Sequence, residues 1–237
     1  MLLSLERATT HRALDTESGQ GVVDVTLAVD RGGFVGVWGV RRSGKTALLR
    51  LAAGLERPSD GSVRIDGRDT SGMSEAERGR LRLTTIGLVD QTEPHNREVA
   101  LEDLVALPML SATRRREAHR RALEVLSYVD LGDRAKVRWC ELSSSERTLA
   151  RTARAIVRRP ALLLVDEPAL DLGALQEERV VQLLRRLVQE LGVGVLMASA
   201  SMSALHPARQ LFVLNEGRLT VLNSRTGGTI VPFPASN

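Results

Sequence analysis

The segment GVRRSGKT, from Gly39 to Thr46, is the part of the sequence that decides the fold. The apolar run FVGVW precedes it, and the segment ALLRLAAGL, in which leucines and alanines recur at helical spacing, follows it. Strand, glycine-containing loop and helix, in this order, are the context of a phosphate-binding loop. In such a loop backbone N–H groups surround the phosphates, Lys45 neutralises them and the Thr46 hydroxyl ligates Mg²⁺. We therefore predict a nucleotide-binding loop of the Walker A type, with a glycine-rich structural turn as the alternative.

Two arginines make this loop unusual, because Arg41 and Arg42 stand where small residues are common. The fourth position of the loop, Arg42, often needs a left-handed backbone, which costs a residue other than glycine about 1 kcal/mol. Either guanidinium could contact a phosphate and offset this strain, or both could point to solvent. The sequence leaves these two interpretations open.

The segment ALLLVDEP, Ala161 to Pro168, supplies a second half of the site, since an apolar strand ends there in two adjacent carboxylates. We expect Asp166 to hold Mg²⁺ through water. Glu167 is expected to orient, or accept a proton from, the water that attacks the γ-phosphate. A strand that merely happens to end in acidic residues is the structural alternative.

Composition limits the remaining classes. The 237 residues are 43% apolar and 26% charged with one cysteine, which excludes a disordered chain, a disulfide scaffold and a zinc cluster of cysteines. No apolar run reaches the roughly 18 residues of a membrane span, so we expect any membrane role to be peripheral. The net charge of +4 comes mostly from arginine, and aromatic residues are only 3% of the chain, so no nucleic-acid partner is expected.

Spacing separates classes of nucleotide-binding proteins, because Lys45 and Asp166 are 121 residues apart and leave room for an inserted subdomain. Between them lie the strand TTIGLVD, Gln91 and segments with helical character, ending in ELSSSERTLARTARAIVRRP. From about Leu5 to Leu222 the chain resembles the ATP-binding-cassette (ABC) ATPases that drive ABC transporters. The segments GLERPSDGSVRIDGRDTSGMSEAERGRLR and ALEDLVALPML are most similar to the lipoprotein-release, macrolide-export and cell-division branch.

This resemblance implies an α/β fold, the P-loop NTPase fold of ABC ATPases, with a RecA-like core and an antiparallel β subdomain. It implies a single domain over residues 1–237, with a helical subdomain inserted at about 94–158. The last segment, NSRTGGTIVPFPASN at 223–237, mixes turn residues with apolar ones, which predicts a loosely ordered C-terminal tail that could fold back.

The resemblance also assigns site residues, with ATP and Mg²⁺ as cofactors. Arg12 is expected to stack on adenine through its guanidinium plane, or else to be solvated. The catalytic residue is Glu167, and the metal residues are Thr46, Gln91 and Asp166. The signature loop, which acts on ATP bound to a partner subunit, is Ser143, Ser144 and Ser145. The ATP-binding residues are Gly39, Arg42, Ser43, Gly44, Lys45, Thr46, Ala47 and Arg12.

Two departures from the family pattern affect the expected activity. The signature loop, usually LSGGQ, reads LSSSE, and Glu146 either brings negative charge near the phosphate or caps the helix. Ala200 stands where the family has a switch histidine, and losing one such donor typically costs about 2.7–4 kcal/mol. His206 is a tempting replacement, but we interpret it as an ordinary surface histidine.

The expected function is the ATP-binding subunit of an ABC transporter, which binds and slowly hydrolyses MgATP in a nucleotide-sandwich dimer. It would drive a transmembrane permease from the cytoplasm, peripherally on the inner face of the cell membrane. The alternative is a catalytically impaired regulatory subunit that pairs with an intact ATPase in a heterodimer. The segment TEPHNRE after Gln91 makes the expected docking surface polar, and RRREAHRR, Arg114 to Arg121, predicts either a contact with anionic groups or a solvated helix face.

Overall fold

The computed structural model describes residues 1–10, 20–226 and 229–231. Their regular elements are strands β1 to β11 and helices α1 to α6, joined in places by short 3₁₀ turns. In chain order they are β1 (Leu3–Thr9), β2 (Val25–Val29), β3 (Phe34–Trp38), α1 (Lys45–Ala52), β4 (Asp60–Ile65), β5 (Arg68–Asp69), α2 (Glu75–Thr85), β6 (Ile86–Val89), α3 (Leu101–Ala106), α4 (Arg115–Tyr128), α5 (Ser144–Ile156), β7 (Leu162–Asp166), α6 (Ala174–Leu191), β8 (Gly194–Ser199), β9 (Gln210–Asn215), β10 (Arg218–Thr226) and β11 (Thr229–Val231).

The main sheet has seven strands in the order β11-β10-β9-β3-β8-β7-β6. Strands β9, β3, β8, β7 and β6 are mutually parallel, whereas β10 and β11 run antiparallel. Strand β3 lies between β8 and β9 and pairs with both, so the loop that follows it lies at the end of a central strand and not of an edge strand. A second, antiparallel sheet has the order β2-β1-β4-β5. The predicted α/β class, with a parallel core and an antiparallel β unit, is confirmed.

The central parallel strands β3, β7 and β8 are buried on both faces, which explains their predominantly apolar sequences. Along β7, Leu162 and Leu164 point into the core shared with the antiparallel sheet and α1. Leu163 and Val165 point into the opposite core, which α3, α4, α5 and α6 cover. The sheet therefore separates two apolar cores, and the ends of its strands remain accessible on one side.

Helices α3, α4 and α5 all lie between β6 and β7, in the interval where the sequence predicts an inserted helical subdomain at 94–158. The boundaries of that subdomain stay a prediction. Residues 223–226 and 229–231, which the sequence assigns to a C-terminal tail, are strand residues paired in the β10–β11 hairpin. The rest of that tail lies outside the described residues.

Three arginines of α4 pair with acidic residues of α3 and α4. Arg120 contacts Glu117 and Glu124, and Arg121 Nη1 lies 3.0 Å from Glu124 Oε2. Arg115 Nη2 lies 3.7 Å from Asp103 Oδ1. This pairing favours the interpretation of the arginine run as a solvated helix face. Over the described ranges, none of the helices is both long and apolar enough to span a bilayer.

Candidate functional site

The loop after β3 has a backbone that only certain residues allow. A Cβ atom added to Gly39 would lie 2.4 Å from Ser43 Oγ and 2.7 Å from Leu214 O, so a side chain does not fit there. Gly44 precedes α1 with φ of 109°, a conformation that L residues rarely adopt. Arg42 has φ of 65°, which confirms the left-handed backbone expected at the fourth position.

Lys45 begins α1 and is buried beneath this loop, with 6% of its side chain exposed. Its Nζ atom donates to Gly39 O at 2.6 Å and to Val40 O at 2.8 Å. It also lies 3.1 Å from Glu167 Oε1. The ammonium group therefore stands between the loop carbonyls and the acidic end of β7, which keeps a positive charge at the centre of the site.

The loop and the end of β7 meet through a direct hydrogen bond. Thr46 Oγ1 donates to Asp166 Oδ2 at 2.8 Å, across 120 positions of sequence. Asp166 Oδ1 is buried without a hydrogen-bond partner among the described residues. Burial raises the pKa of Asp166, and Glu167 adds to this rise while the Thr46 hydroxyl opposes it. An unpaired carboxylate oxygen beside a threonine hydroxyl fits Mg²⁺, a hard cation that prefers oxygen ligands.

Glu167 has φ of 47°, so the chain turns sharply after β7. The backbone N–H of Ala200 donates to its carboxylate, at 2.9 Å from Oε2, and Ser199 Oγ lies 3.3 Å from the same oxygen. Sequence reasoning treated Ala200 as a lost donor because alanine has no polar side chain. It missed the main-chain donor, which no side-chain pattern reveals.

Gln91 lies beyond the end of β6 and faces the same acidic residue. Its Nε2 atom donates to Glu167 O at 2.8 Å.

His206 is exposed and its Nδ1 atom lies 3.0 Å from Ser203 O of its own turn, in keeping with an ordinary surface histidine. The segment after β8 therefore contacts the site through the Ala200 backbone N–H and the Ser199 hydroxyl, and not through His206.

A cavity of about 810 Å³ opens over these residues. Several of the predicted ATP and metal residues line it together. The signature serines are outside the set of described residues that form its wall, and Arg12 lies outside the described residues altogether. The lining residues are Arg41, Arg42, Gly44, Lys45, Thr46, Leu49, Arg50, Leu55, Leu88, Asp90, Gln91, Thr92, Asp166, Glu167 and Leu170.

The signature loop LSSSE forms a complete helix cap. Ser143 is the N-cap of α5, and its hydroxyl accepts from Glu146 N at 3.3 Å. Glu146 Oε2 in turn accepts from the backbone N–H of Ser143 at 2.9 Å. Arg134 Nε lies 3.1 Å from Glu146 Oε1. Burial acts to raise the pKa of Glu146, but the Ser143 hydrogen bonds and nearby arginines lower it overall.

Of the two roles considered for Glu146, the structure shows the cap. Its carboxylate is turned to its own helix and to Arg134, so its charge is largely compensated. Ser144 is exposed and Ser145 is half-buried at the start of the same helix. The cap uses the hydroxyl and the backbone N–H of Ser143, so the exposed Ser144 hydroxyl and the first N–H groups of α5 are the donors left at this end of the helix.

The site thus consists of a loop between a strand and a helix, whose threonine contacts the acidic end of a distant strand. Comparison with protein families identifies the kind of protein that has this arrangement. The family model described as ABC transporter matches residues 22–170. The chain belongs to this family. It is the ATP-binding subunit of an ABC transporter, and members of this family are ATPases that couple hydrolysis to transport.

Individual relatives agree with this membership. The lipoprotein-releasing system ATP-binding protein LolD 2 of Caulobacter vibrioides is 37% identical, covering 88% of this chain and 92% of the relative. The macrolide export ATP-binding/permease protein MacB of Rhodopirellula baltica is 33% identical over 81% of this chain, which corresponds to 29% of that longer protein. The resemblance to the lipoprotein-release and macrolide-export branch is confirmed.

Solved structures give the same answer for the fold. A dimeric ATP-binding cassette in a post-hydrolysis state, bound to ADP and Pi, superposes with a TM-score of 0.83 at 25% identity and covers 94% of this chain and all of that one. A dimeric bacterial ABC transporter cassette gives 0.82 at 26% identity, covering 92% and 96% of the two chains. The P-loop NTPase fold of ABC ATPases is therefore shown.

Proposed function

We propose that this chain binds MgATP in the cavity above the phosphate loop and pairs with a second ATPase chain around two nucleotides. The pair would move a transmembrane permease from the cytoplasmic side of the membrane. The hydrogen bond between Thr46 and Asp166 carries this proposal, because it brings the phosphate loop and the acidic strand end into one site.

In this proposal the phosphates occupy the loop from Gly39 to Ala47, where Ser43 and Gly44 lead into α1 and the first backbone N–H groups of the helix have no intrahelical partner. Lys45 is already buried there and would neutralise phosphate charge. Arg42, exposed at the rim, would reach the same charge from outside. Arg12 stays a prediction for the adenine.

The metal residues in this proposal are Thr46, Asp166 and Gln91, all of which line the cavity. When bound, Mg²⁺ would neutralise charge that develops on the phosphates. Asp166 offers the unpaired buried oxygen that such an ion needs, and the Thr46 hydroxyl lies beside it. These residues would hold the ion, directly or through water, on the side of the loop that faces β7.

Glu167 is the proposed catalytic residue, because its carboxylate lies at the cavity wall next to Lys45. It would accept a proton from the attacking water, or orient it. The Ala200 N–H and the Ser199 hydroxyl hold the carboxylate in place. Because alanine and not histidine stands at position 200, directly after β8, we propose that hydrolysis is slow.

Ser143, Ser144 and Ser145 are proposed to act on the nucleotide of the other chain. They lie at the N-terminus of α5 and are not among the described residues that line the cavity, and Ser143 and Ser144 are exposed there. To reach a phosphate, the Ser143 hydroxyl would exchange its hydrogen bond to Glu146 Oε2, now 2.8 Å, for one to the nucleotide. Two similar cassettes solved as dimers, one of them bound to ADP and Pi, support a two-chain arrangement.

The test is calorimetric uptake of MgATP together with steady-state turnover of the purified chain. We expect uptake by the unaltered protein, turnover below about 1 s⁻¹, and complete loss of turnover but retained uptake in Glu167→Gln. Glu190 is an acidic residue of α6 that contacts Tyr128. The variant Glu190→Gln is therefore the matched control and should behave like the unaltered protein.

Turnover well above that rate, abolished by Glu167→Gln, would contradict slow hydrolysis. Lack of uptake would overturn the proposed nucleotide site. Turnover that appears only after addition of a second, intact ATPase chain would favour the regulatory heterodimer instead.

A further inference from the structure

Gln91 is held on its second side by Arg151, a residue of α5. Arg151 Nη1 donates to Gln91 Oε1 at 3.0 Å, and Arg151 Nη2 lies 3.4 Å from Gln91 O. Only 11% of the Arg151 side chain is exposed. The helix that carries the signature loop is thus joined directly to a proposed metal residue.

These contacts fix the orientation of the Gln91 amide. A guanidinium has only donors, so it must face the amide oxygen, and the carbonyl of Glu167 must face the amide nitrogen. Both contacts are made, at 3.0 Å and 2.8 Å. Turning the amide over would place a donor against a donor and an acceptor against an acceptor, so Oε1 stays directed at Arg151.

Arg151 is itself held in place by its neighbours. Its Nη2 atom donates to Glu93 Oε1 at 2.8 Å, and its guanidinium lies 5.3 Å from the centre of the Trp139 ring. Trp139 Nε1 donates to Glu93 Oε2 at 2.5 Å. Burial lowers the pKa of Arg151, while Glu93 and Asp90 oppose this effect. The cation is therefore in a partly dry, well-ordered environment in which its hydrogen bonds are strong.

We propose that Arg151 is a positioning residue that holds Gln91 Oε1 away from Mg²⁺, so that the metal must compete with a guanidinium for this oxygen. The inference rests on the proposed function, in which Gln91 is a metal residue. Two effects of the guanidinium make it a competitor of the metal. The guanidinium occupies the oxygen by hydrogen bonding, and its positive charge disfavours a second cation close by.

Competition at this oxygen couples two parts of the molecule. Arg151 lies about two helical turns after Ser143 on α5. Release of Gln91 to the metal therefore breaks a contact with the helix whose N-terminus is proposed to serve the other chain's phosphate. Gln91 engages the metal most easily when α5 shifts relative to β6 and β7.

The test measures the free Mg²⁺ concentration at the midpoint of binding of β,γ-imido ATP, followed by calorimetry, so no turnover enters the readout. In Arg151→Met the guanidinium is replaced by an uncharged chain. We expect the Mg²⁺ midpoint to fall about three- to tenfold, because a charge-assisted hydrogen bond no longer holds Oε1.

Arg147→Met is the matched control. Arg147 lies on the same helix over the same Trp139 ring, at 6.0 Å, but its guanidinium reaches Cys140 O. Its midpoint should equal that of the unaltered protein. In a Gln91→Ala background, Arg151→Met should lower the midpoint much less, because only the effect of the charge remains once Oε1 is gone; a merely structural effect of Arg151 would be the same in both backgrounds.

Arg151→Lys keeps the charge but has fewer donors, so it should give an intermediate Mg²⁺ midpoint. It replaces Arg151→Met in the test if circular dichroism shows that Arg151→Met does not fold. An unchanged or higher midpoint in Arg151→Met, with normal uptake by the unaltered protein, would overturn the inference alone. Failure of the unaltered protein to take up the nucleotide would instead overturn the proposed function.

Discussion

The phosphate loop and the signature–switch region of this chain depend on their amino acids in different ways. In the loop, Gly39 has no room for a side chain and Lys45 is a buried charge, so the residue types themselves are required. In the signature–switch region, residue types depart from the family pattern, yet donors remain. Ser143 caps α5, and the Ala200 main chain holds Glu167.

A motif therefore tolerates change where its backbone provides the interaction. A backbone N–H at a helix N-terminus or strand end is present whatever the side chain. A backbone group cannot replace a buried ammonium group, and no other residue type fits at a glycine that has no room for a Cβ atom. Four variants test whether this distinction holds.

Ala200→His adds a side-chain donor just after β8 and should raise turnover by at least tenfold and by at most the roughly 10²–10³ that one transition-state donor supplies. The Ala200 N–H contact with Glu167 is a backbone contact and should survive. Steady-state turnover measures the effect. Met202→His, at an exposed position two residues later, is the control and should give no gain. An Ala200→His variant as slow as the original chain would contradict our account of the switch.

Gly39→Ala places a Cβ atom against Ser43 Oγ and Leu214 O, and should lower the free energy of unfolding by about 1–3 kcal/mol. The loop must move to accept the methyl group, so uptake of MgATP should be lost as well. Urea unfolding and calorimetry measure the two effects. Gly72→Ala is the control, because a Cβ there meets no atom of the described residues within 4 Å. Normal uptake by Gly39→Ala would show that the loop tolerates change after all.

Ser143→Ala removes the N-cap of α5 and should lower the free energy of unfolding by about 1 kcal/mol, the usual effect of losing a serine cap. Urea unfolding measures it, and Ser144→Ala, exposed one residue later, is the control. If the Ser143 hydroxyl also serves the other chain's phosphate, ATP-dependent dimerisation should weaken in the same variant, which size-exclusion chromatography detects. Unaltered stability would mean that the cap contributes little.

Arg42→Gly relieves a left-handed residue and should raise the free energy of unfolding by about 0.5–1 kcal/mol, since the strain exceeds the added flexibility of the unfolded chain. If the guanidinium contacts phosphate, MgATP affinity should fall in the same variant. Thermal unfolding and calorimetry measure the two effects. Arg41→Gly, at the neighbouring exposed position of the cavity wall, is the control for stability. A less stable Arg42→Gly protein would show that the loop needs this side chain.

The phosphate loop, the acidic end of β7 and the α/β class could be predicted from the sequence, because apolar runs, helical periodicity and glycine positions are local signals. The left-handed backbone at Arg42 was predictable for the same reason. Position in a fixed loop dictates its φ angle. These features need no knowledge of distant residues.

Other features were decided only when the chain packed. The sequence left two roles open for Glu146, and the structure selects the cap because Arg134 and the Ser143 backbone lie within reach. The Ala200 N–H donor to Glu167 and the Arg151 contact to Gln91 were not foreseen. Each joins residues from different elements, and one uses a main-chain atom that every residue type carries. The sequence thus determined which groups exist, while tertiary packing decided which of them meet.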